Sequence, residues 1–284
     1  MTILVFGQTG QVARALQRQA PDAIYLGRDQ ADLCAPETCV AAIVRYRPTA
    51  VINAAAYTAV DRAESEEALA HQINGVAPGE IAGACAKQNI PLVHISTDYV
   101  FNGLGDTAFA PTDPLAPLGA YGRSKRAGEV AVQAVGGPHA IVRTSWVFSA
   151  DGSNFVKTML RLSETRDRIK VVADQHGGPT PAAGIAHACL TIAKTLKADP
   201  AKSGTYHYSG APDTSWADFA RAVFRLSGHA VVVEDIATSA YPTPARRPAN
   251  SRLDCTSLHR TFGLSRPDWQ AALAEVLAQL EATP

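Results

Sequence analysis

Tyr121 and Lys125 stand four residues apart in the stretch "AYGRSKRAGE", and Thr97 closes the apolar run "LVHIST". Four residues are close to one helical turn, so a helix through this stretch sets the phenol and the ammonium on one face. A phenol with an ordinary pKa near 10 is a sluggish acid or base at neutral pH, and a neighbouring ammonium stabilises its phenolate. Lowering that pKa by about three units takes roughly 4 kcal/mol, which the ammonium and a second cation can supply in a site closed to water. Such a pair suits the reduction of a ketone, in which carbon takes a hydride and oxygen takes a proton. A threonine hydroxyl at a strand end can hydrogen-bond the same oxygen. The spacing by itself also fits a plain aromatic-to-ammonium contact on a helix surface, and leaves both readings open.

A hydride donor needs a site of its own, and the chain opens on one: "MTILVFGQTG". The apolar run Ile3 to Phe6 reads as a strand buried on both faces, and Gly7, Gly10 and Ala13 follow the three-small-residue spacing of a dinucleotide-binding turn. The first glycine makes the turn, the second lets the backbone approach a pyrophosphate, and the helix that follows offers unpaired N–H groups to the anion. Gly7, Thr9, Gly10, Gln11 and Val12 are the expected dinucleotide contacts of this turn. Roughly 20 residues further on, where the adenosine ribose is read, the second strand ends at Leu26-Gly27-Arg28-Asp29. Arg28 can pair with a 2′-phosphate and leans the reading toward NADPH. Asp29 beside it keeps NADH open. Asp32 and Leu33 are expected near the adenine, and Ala54, Ala55 and Ala56, after the strand Ala50 to Asn53, beside the rest of the dinucleotide.

The elements that must position these residues alternate. The pattern predicts a helix after the opening glycines and a short strand Ala23 to Leu26. A helix over Pro36 to Tyr46 and a strand Ala50 to Asn53 follow, then a helix roughly over Ala68 to Gln88 and a strand Pro91 to Ile95. The Tyr121 helix runs to Val135 and stops at Gly136-Gly137-Pro138. This rhythm, with continuous apolar strands, is that of an α/β fold with a Rossmann-type, doubly wound parallel sheet, and a ligand then lies beyond the carboxyl ends of the strands. From Trp146 onward the pattern is less regular. A helix is expected near Asn154 to Arg161, a strand over Ile169 to Ala173, and a helix capped by Thr180 with Pro181 at its first position. The proline- and arginine-rich "YPTPARRPANSRLD" reads as a loop. Residues 1–145 are expected to form the dinucleotide-binding domain, and residues 146–284 mainly a smaller C-terminal substrate-binding domain with segments returning to the first.

Lys plus Arg and Asp plus Glu balance at 26 each, which gives no field to hold a nucleic-acid backbone or an anionic membrane. No uninterrupted apolar stretch approaches the roughly 20 residues of a membrane span, and no signal-peptide pattern opens the chain. Five cysteines without a C-x-x-C pair argue against a disulfide framework or a zinc ribbon. A cytoplasmic protein with no nucleic-acid or membrane partner is expected.

The glycine turn, "AAAYTAVDRAE", "STDYVFNG", "YGRSK", "RTSWVF", "NFVKTML", "DQHGGPT" and "RPANSRLD" occur in this order. In these segments, which span nearly the whole chain, the sequence resembles the dTDP-4-dehydrorhamnose reductases, a family of extended short-chain dehydrogenase/reductases. The resemblance implies reduction of the 4-keto group of a dTDP-6-deoxyhexulose to give dTDP-L-rhamnose, with NADPH or NADH as hydride donor. It implies a triad of Thr97, Tyr121 and Lys125, with Tyr121 as proton donor and Lys125 also holding the nicotinamide ribose. Thr58, Val60, Asp98, Tyr99 and Trp146 would line the sugar and nicotinamide pocket. Asn154 and Arg247 are candidates for the nucleotide diphosphate, because amide and guanidinium donors suit phosphate oxygens. Some relatives dimerise through magnesium held by acidic residues on the first helix and on the helix after the "GGPT" loop. The stretches "QVARALQ" and "PTPAAGIA" carry none, so no metal and either a monomer or a metal-free homodimer are expected. A nucleotide-sugar epimerase, and a non-catalytic subunit like the regulatory subunit of methionine adenosyltransferase, share much of this pattern and stay open. A 4,6-dehydratase is disfavoured, since Tyr99 stands where those enzymes carry Glu.

Overall fold

A computed structural model describes residues 1–282. The first part of the chain runs β1 (Ile3–Phe6), α1 (Gln11–Gln19), β2 (Ile24–Leu26), α2 (Pro36–Tyr46), β3 (Ala50–Asn53), α3 (Val60–Ala63), α4 (Glu67–His71), a π-helical turn Gln72–Val76, α5 (Ala77–Lys87) and β4 (Leu92–Thr97). It continues through a 3-10 turn Asp98–Val100 into α6 (Ala120–Val135) and β5 (His139–Thr144). Next come β6 (Val147–Phe148), α7 (Phe155–Ser163), β7 (Arg168–Val172), β8 (His176–Gly177), β9 (Thr180–Pro181), α8 (Ala182–Ala198) and β10 (Gly204–His207). The last elements are β11 (Thr214–Ser215), α9 (Trp216–Leu226), β12 (Val232–Ile236), β13 (Asn250–Ser251), α10 (Thr256–Phe262) and α11 (Trp269–Glu281).

The central sheet has the order β10-β5-β4-β3-β1-β2, and every neighbouring pair is parallel. Alternate strand residues enter opposite cores, as the pleat requires. Ile3 and Val5 pack under α1 and α8, whereas Leu4 and Phe6 pack under α2 and α5. A third core, built on Phe148, Val156, Phe219 and Trp269, serves the small sheets and α7, α9 and α11. The second half of the chain also supplies β10 to the edge of the central sheet and lays α8 across its face.

Two predicted helices differ in detail. The run expected from Ala68 to Gln88 is broken by the π-helical turn, because Pro78 at the second position of α5 has no N–H to continue an ordinary ladder. The freed turn buries Asn74, whose amide clamps both backbone groups of Tyr57 and donates to Ser124 Oγ at 3.0 Å. Thr180 and Pro181 do not open α8. They pair with β6 as β9, and the helix begins at Ala182. The Thr180 hydroxyl donates to the Gly178 carbonyl and accepts the Gly210 N–H, so it is not available as a cap.

Candidate active site

The strand order reverses between β1 and β3, and the crevice opened by such a reversal is where α/β sheets bind ligands. Gly7 makes the turn there with φ +110°, and a Cβ on it would press on the backbone of Ala54 and Ala55 at 3.2–3.3 Å. Around Gly10, the N-cap of α1, nothing lies within 4 Å of where a Cβ would stand. The helix end is thus open on the side where an anion approaches, and the cradle fits a pyrophosphate. The cleft that begins here holds about 830 Å³.

The cleft is lined by Gly7, Thr9 and Gly10, by Arg28, Asp32 and Leu33 along β2 and the turn after it, and by Ala54, Ala55 and Ala56 after β3. Gln8, Gly27, Asp29 and Ile73 join them. Ile73 carried no sequence signal, since it reaches the wall only through the π-helical turn. Thr58, expected against the sugar, lines the same cleft, and Val60 begins α3 beside it. The side chains of Gln11 and Val12 face elsewhere. Gln11 Oε1 accepts from Ser149 Oγ and Asn154 Nδ2, and Val12 packs into the core under α8.

Thr97, Asp98, Tyr99 and Tyr121 meet at the carboxyl end of β4. The Thr97 hydroxyl acts on the Tyr121 phenol, drawing its pKa down. That hydroxyl in turn donates to Asp98 Oδ1 at 3.0 Å and accepts the Tyr99 N–H. Asp98 is 3% exposed, and its second oxygen has no partner among the described residues. Burial pushes its carboxyl up to about 6, against the pull of hydrogen bonds from Ser251 and Thr97. Ser251 was missed by the sequence reading because only the folding-back of β13 brings it here.

Burial, followed by the Asp98 charge, pushes the Tyr121 phenol up. Lys125, 2% exposed, donates to the Ile95 carbonyl at 2.7 Å and lies 3.4 Å from His94 Nε2. Burial pulls its amine down to about 8. A phenol held protonated is what a proton donor requires.

Arg247 ties the proline-rich loop to Asp61 on α3. Its Nη2 donates to Asp61 Oδ2 at 2.7 Å, while Asp61 Oδ1 accepts the Ala245 N–H. Its charge reaches Tyr99, and its buried Nη1 has no partner among the described residues. Asn154 does not stand with this group. Its Oδ1 caps α7 at Lys157, and its Nδ2 donates to Gln11 and the Ser149 carbonyl. Both ends are committed, which leaves no amide donor for a phosphate. Trp146 stacks on Trp216 with centroids 3.7 Å apart and holds φ +51°, a conformation uncommon outside glycine.

Among the described residues no group of three or more His, Cys, Asp or Glu side chains is arranged to hold a metal ion. No helix among them is long and apolar enough to cross a membrane, and all five cysteines are free thiols.

A dinucleotide cleft at the switch point, next to a helix carrying Tyr and Lys one turn apart, defines a short-chain dehydrogenase/reductase. Residues 1–282 match the family model described as RmlD substrate binding domain. The chain is 45% identical over 279 residues to a dTDP-4-dehydrorhamnose reductase of Sinorhizobium fredii, covering 95% of this chain and 94% of that one. A dTDP-4-dehydrorhamnose reductase from Clostridium acetobutylicum superposes with a TM-score of 0.92 at 36% identity, covering 99% and 100% of the two chains. The Bacillus anthracis dTDP-4-dehydrorhamnose reductase, solved in complex with NADP, gives 0.90 at 34% identity, covering 98% and 99%. The chain belongs to the dTDP-4-dehydrorhamnose reductase family of oxidoreductases.

Proposed function

We propose that the protein reduces the 4-keto group of dTDP-4-dehydro-L-rhamnose to give dTDP-L-rhamnose, with NADPH as the preferred donor and Tyr121 as the proton donor. The observation that carries this reading is the Tyr121 phenol, kept protonated by burial and by Asp98 and packed edge to face on Tyr99 just after Thr97, at the end of β4.

The dinucleotide supplies a hydride when bound. The chain's residues do the rest. The open N-terminus of α1 at Gly10, with the backbone N–H groups of Gln11 and Val12, receives the pyrophosphate. Arg28 takes the 2′-phosphate, and the alanines after β3 wall the cleft. Thr97 orients the sugar carbonyl, and Tyr121 delivers the proton to its oxygen. Lys125 holds the nicotinamide ribose through donors not engaged by Ile95. Asp98, Tyr99, Thr58, Val60 and Trp146 enclose the sugar. Arg247 presents its unengaged Nη1 to the diphosphate. Residues 1–145, with α8 and β10, carry the dinucleotide, and the remainder of 146–284 carries the sugar nucleotide.

The protein is inferred to work in the cytoplasm as a monomer or as a homodimer that needs no metal, since the first turns of α1 and α8 carry no acidic residue. A chelator then leaves its mass in solution unchanged. The functional test is turnover of the keto-sugar nucleotide with NADPH and NADH in turn, followed by absorbance. Stoichiometric consumption of dinucleotide supports the reductase. Sugar conversion without net consumption points to an epimerase. Tight NADPH binding with no turnover points to a binding subunit.

A further inference from the structure

Asn53, His94 and Lys125 form a buried row behind the site, none more than 2% exposed. Asn53 ends β3, His94 sits within β4 and Lys125 lies on α6. The backbone fixes the asparagine: the Ala55 N–H donates to Oδ1 at 3.2 Å, which turns the amide nitrogen toward His94 Nδ1, also 3.2 Å away. An amide nitrogen only donates. His94 Nδ1 is therefore the acceptor, and the single ring proton sits on Nε2. That nitrogen faces Lys125 Nζ at 3.4 Å. An ammonium has no lone pair to receive an N–H, whereas a free amine has one.

We propose that Asn53 and His94 are positioning residues for Lys125: by keeping the imidazole proton on Nε2, facing Nζ, they favour the free amine over the ammonium, and make the lysine a group that exchanges its proton rather than a permanent charge. Burial acts in the same direction, on the lysine directly and on His94 by keeping its ring neutral. Glu129, one turn further along α6, favours the ammonium. Its carboxylate is nonetheless tied to Arg143 on β5 and to Ser96 on β4. Tyr121 lies on the same helix as the lysine, and the Asp98 charge after β4 bears on Tyr121. Only the catalytic consequence rests on the reductase reading. The tautomer and the titration are readable in the protein without dinucleotide.

The test uses nitrogen-15 spectra of the histidine rings and carbon-13 spectra of labelled lysines. In the wild type, His94, identified by its absence in His94→Phe, is expected to carry its proton on Nε2 throughout the range around neutrality. Lys125, one of seven lysines, titrates near 8, below the others. Asn53→Asp, whose carboxylate accepts from Nδ1–H, reverses the tautomer and raises the Lys125 midpoint by about one unit. His94→Phe, which removes the N–H, raises it as well. A wild-type ring protonated on Nδ1 overturns the proposal, and so does a Lys125 midpoint that both substitutions leave in place. If neither variant folds, the wild-type tautomer decides. Lost NADPH oxidation with the tautomer and midpoint as expected counts against the reductase reading alone.

Discussion

The rings of Tyr99 and Tyr121 meet edge to face, their centroids 5.5 Å apart at 76°, and Gly122 makes the approach possible. A Cβ there would stand 2.2 Å from the Tyr99 carbonyl oxygen, a backbone atom with no freedom to move aside. Gly122→Ala is expected to displace the first turn of α6 from the turn after β4, at a cost of about 1–3 kcal/mol in stability. The reaction loses on the order of 100-fold, since misplacement of about 1 Å has that effect. Denaturant unfolding and kcat measured on the same preparation check both, and an unchanged kcat would show that Tyr121 is not held from this side.

Tyr121→Phe removes one hydroxyl and leaves the ring contact with Tyr99. Loss of a positioned proton donor costs about 100- to 10,000-fold in turnover. Dinucleotide affinity is expected to stay within a few-fold of wild type, because the cleft walls are untouched. Steady-state kinetics together with a fluorescence titration of NADPH separate the two quantities. Full turnover by the variant would remove Tyr121 from the mechanism.

Asp98 gives a pH signature. Its carboxyl is raised to about 6 in the folded protein, against about 3.9 in an unfolded chain. Between those values the folded state holds the extra proton. Stability therefore falls as pH rises through this window, by up to about 3 kcal/mol, and the loss is complete above the folded pKa. Asp98→Asn lacks the ionisation, so melting temperatures of the two proteins converge toward pH 4 and diverge in favour of the variant above pH 6. Parallel profiles would mean that an unseen partner neutralises the carboxylate.

Arg28 is exposed on the cleft wall. Removing a guanidinium that pairs with a phosphate costs about 1.5–3 kcal/mol. Arg28→Ala is thus expected to lower kcat/KM for NADPH by roughly 10- to 100-fold while leaving that for NADH nearly constant. Equal losses with both dinucleotides would place the arginine away from the ribose.

Much of the architecture was written in local pattern. The strands around the first half of the sheet, the helix over Pro36 to Tyr46 and the stop at Gly136 all follow from apolar runs, proline placement and a glycine with positive φ. The π-helical turn was hidden because its cause is a proline acting on a ladder that otherwise reads as one helix. The site divides in the same manner. Gly7, Thr97, Tyr121 and Lys125 announce themselves by type and spacing. Ser251, Ile73 and the His94 ring enter only through tertiary placement, and the helix-cap role of Asn154 was hidden because an amide that suits a phosphate suits a helix cap equally well.

The strand β10 lies beside β5, 60 residues beyond it in the chain, with α8 across the sheet on the way. The second half of the chain is consequently stitched into the first at two points rather than appended to its end. A cut after residue 145 would strip the central sheet of an outer rung and one helical layer of its lining. Grafting a different specificity onto this scaffold therefore means exchanging loops between the stitches, and transplanting the whole C-terminal half as a cassette would carry away part of the foundation.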